Sequence, residues 1–418
     1  MSREMKYSGI PWIGDIPKDW RTKRGKFMFQ ILSGAPFESE LFTNESNYMP
    51  LVRIRDIMNG NTETYYKGDY SQEYIISKGD ILVGMDGDFN VATWTGNDAI
   101  LNQRVCKLHN FKSDVCPRFV FYTLPMFLKR KNDLTYATTV KHLSTFDIYG
   151  FTYFLPPLSE QQKIASFLDE KCSEIDEMIA LQETIIEELK AYKQSVITEA
   201  VTKGLNPDVP MKDSGIEWIG EIPEHWEVTK FKSLFCIKKI IAGELGYDVL
   251  SVTQQGLKIK DLSKNEGQVA QDYSKYQLVD INDFVMNHMD LLTGYIDCAT
   301  ISGVTSPDYR TFVNRDYSIA HNSFYLRIFQ KCYKDKTFYH LGQGVSFLGR
   351  WRLPKEQLNA FMLPLPPISE QIKISDYLDE KCSEIDTLIN IKQDKIESLK
   401  EYKKSIIYEY VTGKKEVE

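Results

Sequence analysis

The chain has 418 residues and a formal net charge of −7, so it is long enough for two or three domains of about 100–200 residues each. Hydrophobic residues make up 42% of it, and no apolar run approaches the roughly 20 residues that span a bilayer, which predicts a folded, cytoplasmic protein outside the membrane. The seven cysteines form no C-x-x-C pair, so neither a zinc site nor a disulfide framework is expected.

The first recognisable element is a sequence block that returns later in the chain. SGIPWIGDIPKDW, from Ser8 to Trp20, returns as SGIEWIGEIPEHW, and LPPLSEQQKIASFLDEKCSEIDEMI, from Leu155 to Ile179, returns as LPPISEQIKISDYLDEKCSEIDTLI. The period of about 210 residues is far longer than a solenoid repeat of about 20–50 residues. The residues between the blocks share almost no sequence, so we predict a duplicated frame that carries two different inserts.

The two inserts, about 18–154 and 224–363, contain short apolar runs broken by Gly, Asn and Asp. MPLVRIRDI (49–57), GDILVGM (79–85) and HNSFYLRIF (321–329) favour strands with turns, and 117–128 favours a short helix. We therefore expect α/β or α+β inserts, each built around a twisted sheet.

Each second block opens a long helical pattern. The first copy, from Ser159 to about Thr202, follows two prolines and ends at Gly204, and Ser159 with Gln162 fits a capping box. Forty residues at 1.5 Å each give a helix of roughly 60 Å. Its apolar residues recur at heptad-like steps in both copies, as Ile175, Ile179, Ile186, Leu189 and Val196 and as Ile385, Ile389, Ile396, Leu399 and Ile406.

These stripes predict that the two helices pack against each other as an imperfect antiparallel coiled coil, although Gln182, Lys193, Lys392 and Lys403 interrupt the seam. The alternative, in which each helix packs on its own domain, stays open. The expected class is α+β, with a pseudo-two-fold internal repeat of two globular domains and two spacer helices. The predicted parts are a first domain at 1–154, a helix at 155–204, a second domain at 205–364 with its linker at 205–213, and a second helix at 365–418.

Motifs of catalysis are missing from the sequence. It contains no G-x-x-x-x-G-K-[ST] phosphate loop, no G-x-G-x-x-G after a strand and no Asn- or Asp-Pro-Pro-aromatic tetrapeptide. The histidines form no i, i+4 pair, and Gly87 between Asp86 and Asp88 favours a turn over a pair of catalytic carboxylates. We therefore expect neither an enzyme nor a metal site.

Both inserts contain side chains that suit DNA. Asn and Gln pair with adenine and Arg pairs with guanine in the major groove, and the acidic residues are concentrated in the long helices rather than in the inserts. Each candidate alone could equally be a solvated surface residue, but their recurrence in two different inserts favours binding. They are Asn102, Gln103 and Arg104, Lys141 and His142, Lys238 and Lys239, Gln254 and Gln255, and Arg350, Trp351 and Arg352.

The chain resembles the specificity subunit of a type I restriction–modification system. The resemblance covers nearly the whole sequence and is carried by PLSEQ and PISEQ, the two SGI-x-WIG-x-IP-x-x-W blocks and the joint KGLNPDVPMKDSG. Within the inserts it is carried by SGAPFESELF, RIRDIMNG, GDILV, LNQRV, NDFVMNHM and SGVTSPDYRTF; Asn282, where relatives often have Gly, departs from the pattern only at a turn. Further candidate DNA contacts are Ser33, Phe37, Arg53, Arg55, Asn90, Asn287, His288 and Arg310.

The resemblance implies that each insert is a target-recognition domain for one half of a split double-stranded DNA site. The helices would set the gap between the halves and dock two methyltransferase subunits, which bring S-adenosylmethionine and methylate adenine N6. Motor-nuclease subunits would join for cleavage with ATP and magnesium. This chain would itself bind no cofactor.

Three alternatives stay open. The chain could serve a related modification system that is not type I, which would change only its partners. It could be a scaffold whose two inserts bind proteins, in which case binding would lack the steep salt dependence of DNA binding. A nuclease would need a carboxylate cluster, and Asp208, Asp308 and Glu356 show no convincing spacing for one.

Overall fold

The computed structural model describes residues 3–134, 141–261, 272–344 and 351–417. The α-helices of these residues are α1 (Pro117–Leu134), α2 (Thr145–Gly150), α3 (Leu158–Lys203), α4 (Phe231–Leu234), α5 (Asn322–Lys334), α6 (Thr337–His340), α7 (Lys355–Ala360) and α8 (Ile368–Val411). Short 3-10 helices lie at Gly25–Phe27, Ser39–Leu41 and Gln72–Tyr74.

The strands fall into two groups along the chain. The first group is β1 (Met5–Tyr7), β2 (Asp15–Pro17), β3 (Arg21–Arg24), β4 (Gln30–Ser33), β5 (Phe42–Thr43), β6 (Met49–Val52), β7 (Tyr65–Tyr66), β8 (Ile75–Ile76), β9 (Ile81–Gly84), β10 (Val91–Thr93), β11 (Ala99–Leu101), β12 (Val105–His109) and β13 (Thr152–Leu155). The second group is β14 (Met211–Asp213), β15 (Glu221–Pro223), β16 (Glu227–Lys230), β17 (Phe235–Lys238), β18 (Val249–Thr253), β19 (Gly256–Ile259), β20 (Gln277–Val279), β21 (Phe284–Met286), β22 (Ile296–Cys298), β23 (Gly303–Thr305), β24 (Arg310–Asn314) and β25 (Met362–Leu365).

The chain divides into two compact units. Unit 1 is Met1–Gln182 with Asp394–Glu418, and unit 2 is Glu183–Gln393. Each unit therefore contains one insert and a part of both α3 and α8. The division into four parts made from the sequence, with whole helices set apart from the domains, stays a prediction.

The two inserts share one sheet topology although their sequences differ. In unit 1 an antiparallel sheet has the order β10-β9-β12-β4, and in unit 2 the order β22-β21-β24-β17 repeats it element for element. A second sheet in each unit contains one parallel pair, β6 with β11 and β18 with β23, flanked by the antiparallel strands β8 and β20. The mixture of helices and mainly antiparallel sheets confirms the α+β class, and the inserts are two versions of one fold.

A helix covers the antiparallel four-stranded sheet of each unit. In unit 1, Phe119 and Phe127 of α1 belong to one buried cluster with Val83 of β9, and in unit 2 Ile328 of α5 is buried with Phe284 of β21. Burial of such side chains contributes about 1.5–3 kcal/mol each, so the helix-on-sheet contact is a main source of stability in each unit.

The structure corrects one element of the second insert and confirms others. HNSFYLRIF was predicted to be a strand, and it forms most of α5. Its buried residues include Phe324, Tyr325, Ile328, Phe329 and Cys332, which have a helical spacing. A continuous apolar run does not by itself distinguish a strand from a buried helix. The strand in GDILVGM and the helix beginning at Pro117 are confirmed as β9 and α1.

Both predicted long helices are present, and the repeated Ser-Glu-Gln motif attaches each one to its globular part. α3 begins at Leu158, so Pro157 holds the N-cap position, two residues before Ser159, and the expected capping box of Ser159 with Gln162 is wrong. The amide of Gln161 donates to the carbonyl of Pro156 at 2.9 Å, and that of Gln371 donates to Pro366 at 2.9 Å. Each Gln oxygen accepts a further backbone N–H, so both side chains are buried and satisfied.

The glutamate of the same motif holds the tryptophan of the first repeated block. The indole of Trp20 donates to Glu160 at 3.3 Å, and that of Trp226 donates to Glu370 at 2.9 Å. Both indoles are completely buried. The duplicated residues are thus the ones that fasten a helix to a domain, which gives a physical reason for a repeated frame around divergent inserts.

Within each unit the segments of α3 and α8 run antiparallel. In unit 1, Phe167 packs on Tyr410 with ring centroids 4.5 Å apart, and the next contact along α3 pairs Asp176 with Lys403 at 2.6 Å. The partner numbers fall on α8 as they rise on α3. In unit 2, Lys193 pairs with Asp386 at 2.6 Å, which repeats the contact with the two copies exchanged.

The predicted seam is buried for most of its length, and the helix ends also pack on their domains. Ile175, Leu399 and Ile406 share one buried cluster with Trp20 and Phe119 of unit 1. The helices therefore pack both against each other and on the globular part of their unit. Lys193 and Lys403, expected to interrupt the seam, form the cross-helix ion pairs. The buried seam residues are Ile175, Ile186, Ile385, Ile389, Ile396, Leu399 and Ile406, and the half-buried ones are Ile179, Leu189 and Val196.

Candidate nucleic-acid interface

In unit 1, two candidate residues meet Asp86 at one edge of the four-stranded sheet. Asp86 follows β9, Arg104 precedes β12, and the pairing of these strands brings the two together. Arg104 Nη1 lies 3.0 Å from Asp86 Oδ2, and His142 Nδ1 lies 2.7 Å from Asp86 Oδ1. The Arg104 and His142 side chains are 54% and 59% exposed, whereas Asp86 is 17% exposed. Asp86 therefore orients two exposed side chains that can donate to a base or a phosphate.

The turn that carries Asp86 is supported from α1. Gly87 has φ +71° and Phe89 has φ +52°, and the Phe89 ring is buried, so the MDGDFN segment is a tight turn, as predicted. Asn132 of α1 donates to the Gly87 carbonyl at 3.2 Å, and Lys141 donates to the Asn132 carbonyl at 2.9 Å. Lys141 thus lies beside the group formed by Asp86, Arg104 and His142.

In unit 2, His288 and two arginines form the corresponding group. His288 follows β21, and Arg310 opens β24 and donates to the carbonyl of Leu353 at 3.0 Å. Burial, together with the nearby charges of Arg310, Arg352 and Lys239, lowers the pKa of His288 from 6.5 to about 3. His288 Nδ1 is buried without a hydrogen-bond partner among the described residues. At neutral pH this group therefore presents cations around an uncharged imidazole.

The two groups occupy equivalent places in the shared topology. His142 and Arg352 hold the same position of the sequence repeat. His142 lies ten residues after Asn132, and Arg352 follows residues 345–350. In each case the next residue donates its backbone N–H to a carbonyl just after a central strand of the sheet. Leu143 donates to the carbonyl of Met85 at 2.7 Å, and Leu353 donates to that of His288 at 2.9 Å. We call these the unit 1 cluster (Asp86, Arg104, Lys141 and His142) and the unit 2 cluster (Lys239, His288, Arg310 and Arg352).

The balance of charge differs between the clusters. In the unit 1 cluster, the carboxylate of Asp86 contacts both neighbours directly. In the unit 2 cluster, burial lowers the pKa of Arg310, and the influence of Glu356 opposes that shift. The unit 2 cluster therefore has the greater excess of positive charge, which a phosphate group would neutralise.

Four candidates are held by contacts within the protein. Lys238 is paired with two aspartates, Asp280 at 2.6 Å and Asp283 at 2.5 Å, and only 11% of its side chain is exposed. The other three are Phe37, which packs on Tyr66, Arg53, which donates to Thr64, and Trp351, which stacks on Tyr339 and donates to its carbonyl. These four side chains are therefore engaged in contacts within the protein and lie outside both clusters.

The remaining candidates within the described ranges are exposed or half-buried. Gln254 donates to the Thr293 carbonyl at 2.9 Å, and Gln255 accepts from Lys258 at 2.5 Å. Arg350 lies outside the described residues. The exposed candidates are Ser33, Arg55, Asn90, Gln103, Gln254 and Gln255, and the half-buried ones are Asn102 and Asn287.

The glycine of the SGAPF motif has a packing reason. A Cβ on Gly34 would lie 2.2 Å from the carbonyl oxygen of Asn102, so only glycine permits this approach. Ala35 then exchanges backbone hydrogen bonds with Leu101 and Gln103. The motif therefore holds the loop that presents Arg104 in place. From the sequence, only Ser33 and Phe37 of this motif were predicted to have a role, as DNA contacts.

Sequence reasoning also missed the organising role of Asp86. The separation of Asp86 from its partner His142 is 56 residues, and no local pattern indicates that they meet. Across the described ranges, no three His, Cys, Asp or Glu side chains are grouped to hold a metal ion. None of the helices there is long and apolar enough to cross a membrane.

Comparison with known proteins matches both halves of the chain. The model of the type I restriction modification DNA specificity domain matches residues 17–191 and 223–401. The specificity subunit of the type I restriction enzyme EcoBI from Escherichia coli is 32% identical over 302 residues, which cover 71% of this chain and 60% of that subunit. The MjaVIII specificity subunit from Methanocaldococcus jannaschii is 28% identical over 422 residues, which cover 96% of this chain and 93% of that subunit.

A solved structure has the same fold. A chain from work on complex assembly and conformational transition of the type I R-M system aligns with a TM-score of 0.68 at 16% identity, over 95% of this chain and 99% of that chain. The fold and its clusters thus define a class of protein with two equivalent domains on paired helices. This chain belongs to the family of type I restriction modification DNA specificity proteins, with one family domain in each repeat.

Proposed function

We propose that this chain is the DNA-recognition subunit of a type I restriction–modification complex, in which each insert binds one half of a bipartite double-stranded target. The observation that carries the proposal is the occurrence of two cationic clusters at the same edge of the same topology, built from different residues. One fold with two different sets of side chains suits a target whose two halves differ.

The side chains of the clusters fit this task chemically. An arginine can donate two parallel hydrogen bonds to guanine O6 and N7, and both Arg and Lys can contact phosphate oxygens. Arg104 is half exposed and already oriented by Asp86, so it is our first candidate for a base contact. The unit 2 cluster, with its greater excess of cations, is our first candidate for phosphate contacts.

The paired helices are the proposed docking place of two methyltransferase subunits, with motor-nuclease subunits added for cleavage. S-adenosylmethionine, ATP and magnesium would be bound by those partners, and this cytoplasmic chain would catalyse no step itself. The names of the EcoBI and MjaVIII relatives, which are specificity subunits of restriction enzymes, support this assignment.

The test is adenine-methylation mapping by long-read sequencing. DNA from cells that express this chain with its neighbouring methyltransferase is compared with DNA from cells that lack only this chain. We expect a new methylated motif with two unequal halves around a fixed gap of unspecified bases. A soluble complex that produces no new motif would contradict the proposal and favour a protein-binding scaffold.

A further inference from the structure

Unit 2 contains an open groove beside α3. It has a volume of about 600 Å³ and lies along the end of α3, where Tyr192, Val196, Glu199, Ala200, Lys203 and Tyr377 line it. Cavities of roughly 300–1,000 Å³ are large enough to enclose a bulky side chain or a small ligand. All these residues belong to unit 2.

The sequence repeat shows what fills the matched place in unit 1. Ala200 and Tyr377 of unit 2 correspond to Tyr410 and Phe167 of unit 1. There the Tyr410 ring packs on Phe167 with centroids 4.5 Å apart. Unit 1 therefore fills this place with an aromatic ring of its own, whereas unit 2 has the methyl group of Ala200 there, and Ala200 and Tyr377 both line the groove.

The ion pairing of the glutamate at this place also differs between the two units. Glu409 of unit 1 is paired with Lys415 at 2.7 Å. Its counterpart, Glu199, is exposed at the rim of the groove and has no ion pair within the described parts of the chain. The unit 2 groove thus has Ala200 and Leu205 where unit 1 has Tyr410 and Lys415, and its own lysine, Lys203, stands where unit 1 has Gly413.

We propose that the groove receives an aromatic side chain, with a basic residue beside it, from one of the two methyltransferase subunits. The inference rests on the proposed function and adds that the two docking sites are unequal, because in unit 1 the Tyr410 ring already packs on Phe167 at the matched place. Buried aromatic rings remove about 150–250 Å² from solvent each and are common anchors of protein interfaces. The basic residue would pair with Glu199 as Lys415 pairs with Glu409.

Ala200→Tyr tests the inference by giving unit 2 the ring that unit 1 already has. The full complex is purified with its methyltransferase and weighed by native mass spectrometry. We expect wild type to hold two methyltransferase subunits and Ala200→Tyr to hold one. Ala191→Tyr is the matched control, since Ala191 is an exposed alanine on the same helix outside the groove, and it is expected to retain two.

Glu199→Lys is a second variant that places no bulk in the groove. It is expected to weaken binding of the second methyltransferase by about tenfold through loss of a charge pair, while Glu188→Lys, an exposed change elsewhere on α3, leaves binding unchanged. Two firmly bound methyltransferases in both groove variants would overturn the inference. A wild-type chain that binds no methyltransferase would instead overturn the proposed function, so the two failures are distinguishable.

Discussion

Lys193 on α3 donates to the carboxylate of Asp386 on α8 at 2.6 Å, and the same contact recurs with the copies exchanged, between Lys403 and Asp176. A lysine of each repeat copy thus pairs with an aspartate of the other copy. The pairing fixes the register of the two helices within each unit, because a shift by one turn would separate both partners. The lysines that break the apolar stripe therefore contribute to the specificity of the helix pairing.

Reversal of this ion pair is expected to have a small and repairable effect. Both partners are partly exposed, so Lys193→Asp is expected to lower the free energy of unfolding by about 0.2–1 kcal/mol. Adding Asp386→Lys restores the opposite charges and is expected to recover most of the loss. Urea denaturation of the purified complex at low and high salt measures both values, and an additive loss in the double variant would contradict a direct contact.

Loss of the buried Gln371 is expected to cost more. Its side chain accepts from the His321 N–H and donates to the carbonyls of Ile319 and Pro366. Gln371→Leu leaves buried backbone groups without partners, at about 1–3 kcal/mol for each group. The free energy of unfolding should therefore fall by at least about 2 kcal/mol. The matched change at an exposed glutamine, Gln162→Leu, is expected to be nearly neutral, and equal losses in the two variants would refute the anchoring role.

Arg104→Ala is expected to alter one half of the DNA target only. If Arg104 donates to a guanine, its loss costs about 1–3 kcal/mol at one base position. Binding measured across a set of single-base target variants should show relaxed specificity in the half read by unit 1. Arg352→Ala removes a residue of the unit 2 cluster, which is proposed to contact phosphate, and should instead weaken binding to all target variants about equally. A uniform loss of affinity over all sequences would identify Arg104 as a phosphate contact instead.

Acidification is expected to destabilise the chain partly through His288. The pKa of His288 in the folded chain is about 3, below the ordinary 6.5, because the ring is buried among cations. The unfolded chain therefore binds the extra proton between these values, and stability falls as the pH drops from 6.5 towards 3.

The corresponding test uses His288→Gln, which removes this proton uptake. The decrease in Tm between about pH 7 and pH 5 is expected to be smaller in the variant than in wild type. His340→Gln changes an exposed histidine of the same unit and is expected to follow wild type. The same decrease in all three proteins would show that His288 does not carry the effect.

The sequence by itself determined the repeat, the two long helices and the α+β class. These depend on local signals, such as the prolines before α3, Gly204 after it and an apolar residue at every third or fourth position. The same signals failed for α5, where a short apolar run fits either a strand or a buried helix. Local patterns also gave no indication that the two inserts share a topology, because strand order depends on contacts between residues far apart in the chain.

Only the tertiary structure decided which candidate side chains are exposed and which are held in contacts within the protein. Arg104 and Lys238 are both basic residues beside a strand, and the sequence did not distinguish them. Strand pairing places Arg104 at an exposed edge beside Asp86, whereas the loop of Asp280 and Asp283 holds Lys238 in a nearly buried ion pair. The physical reason is that burial and ion pairing arise from long-range packing, which a local sequence pattern does not contain.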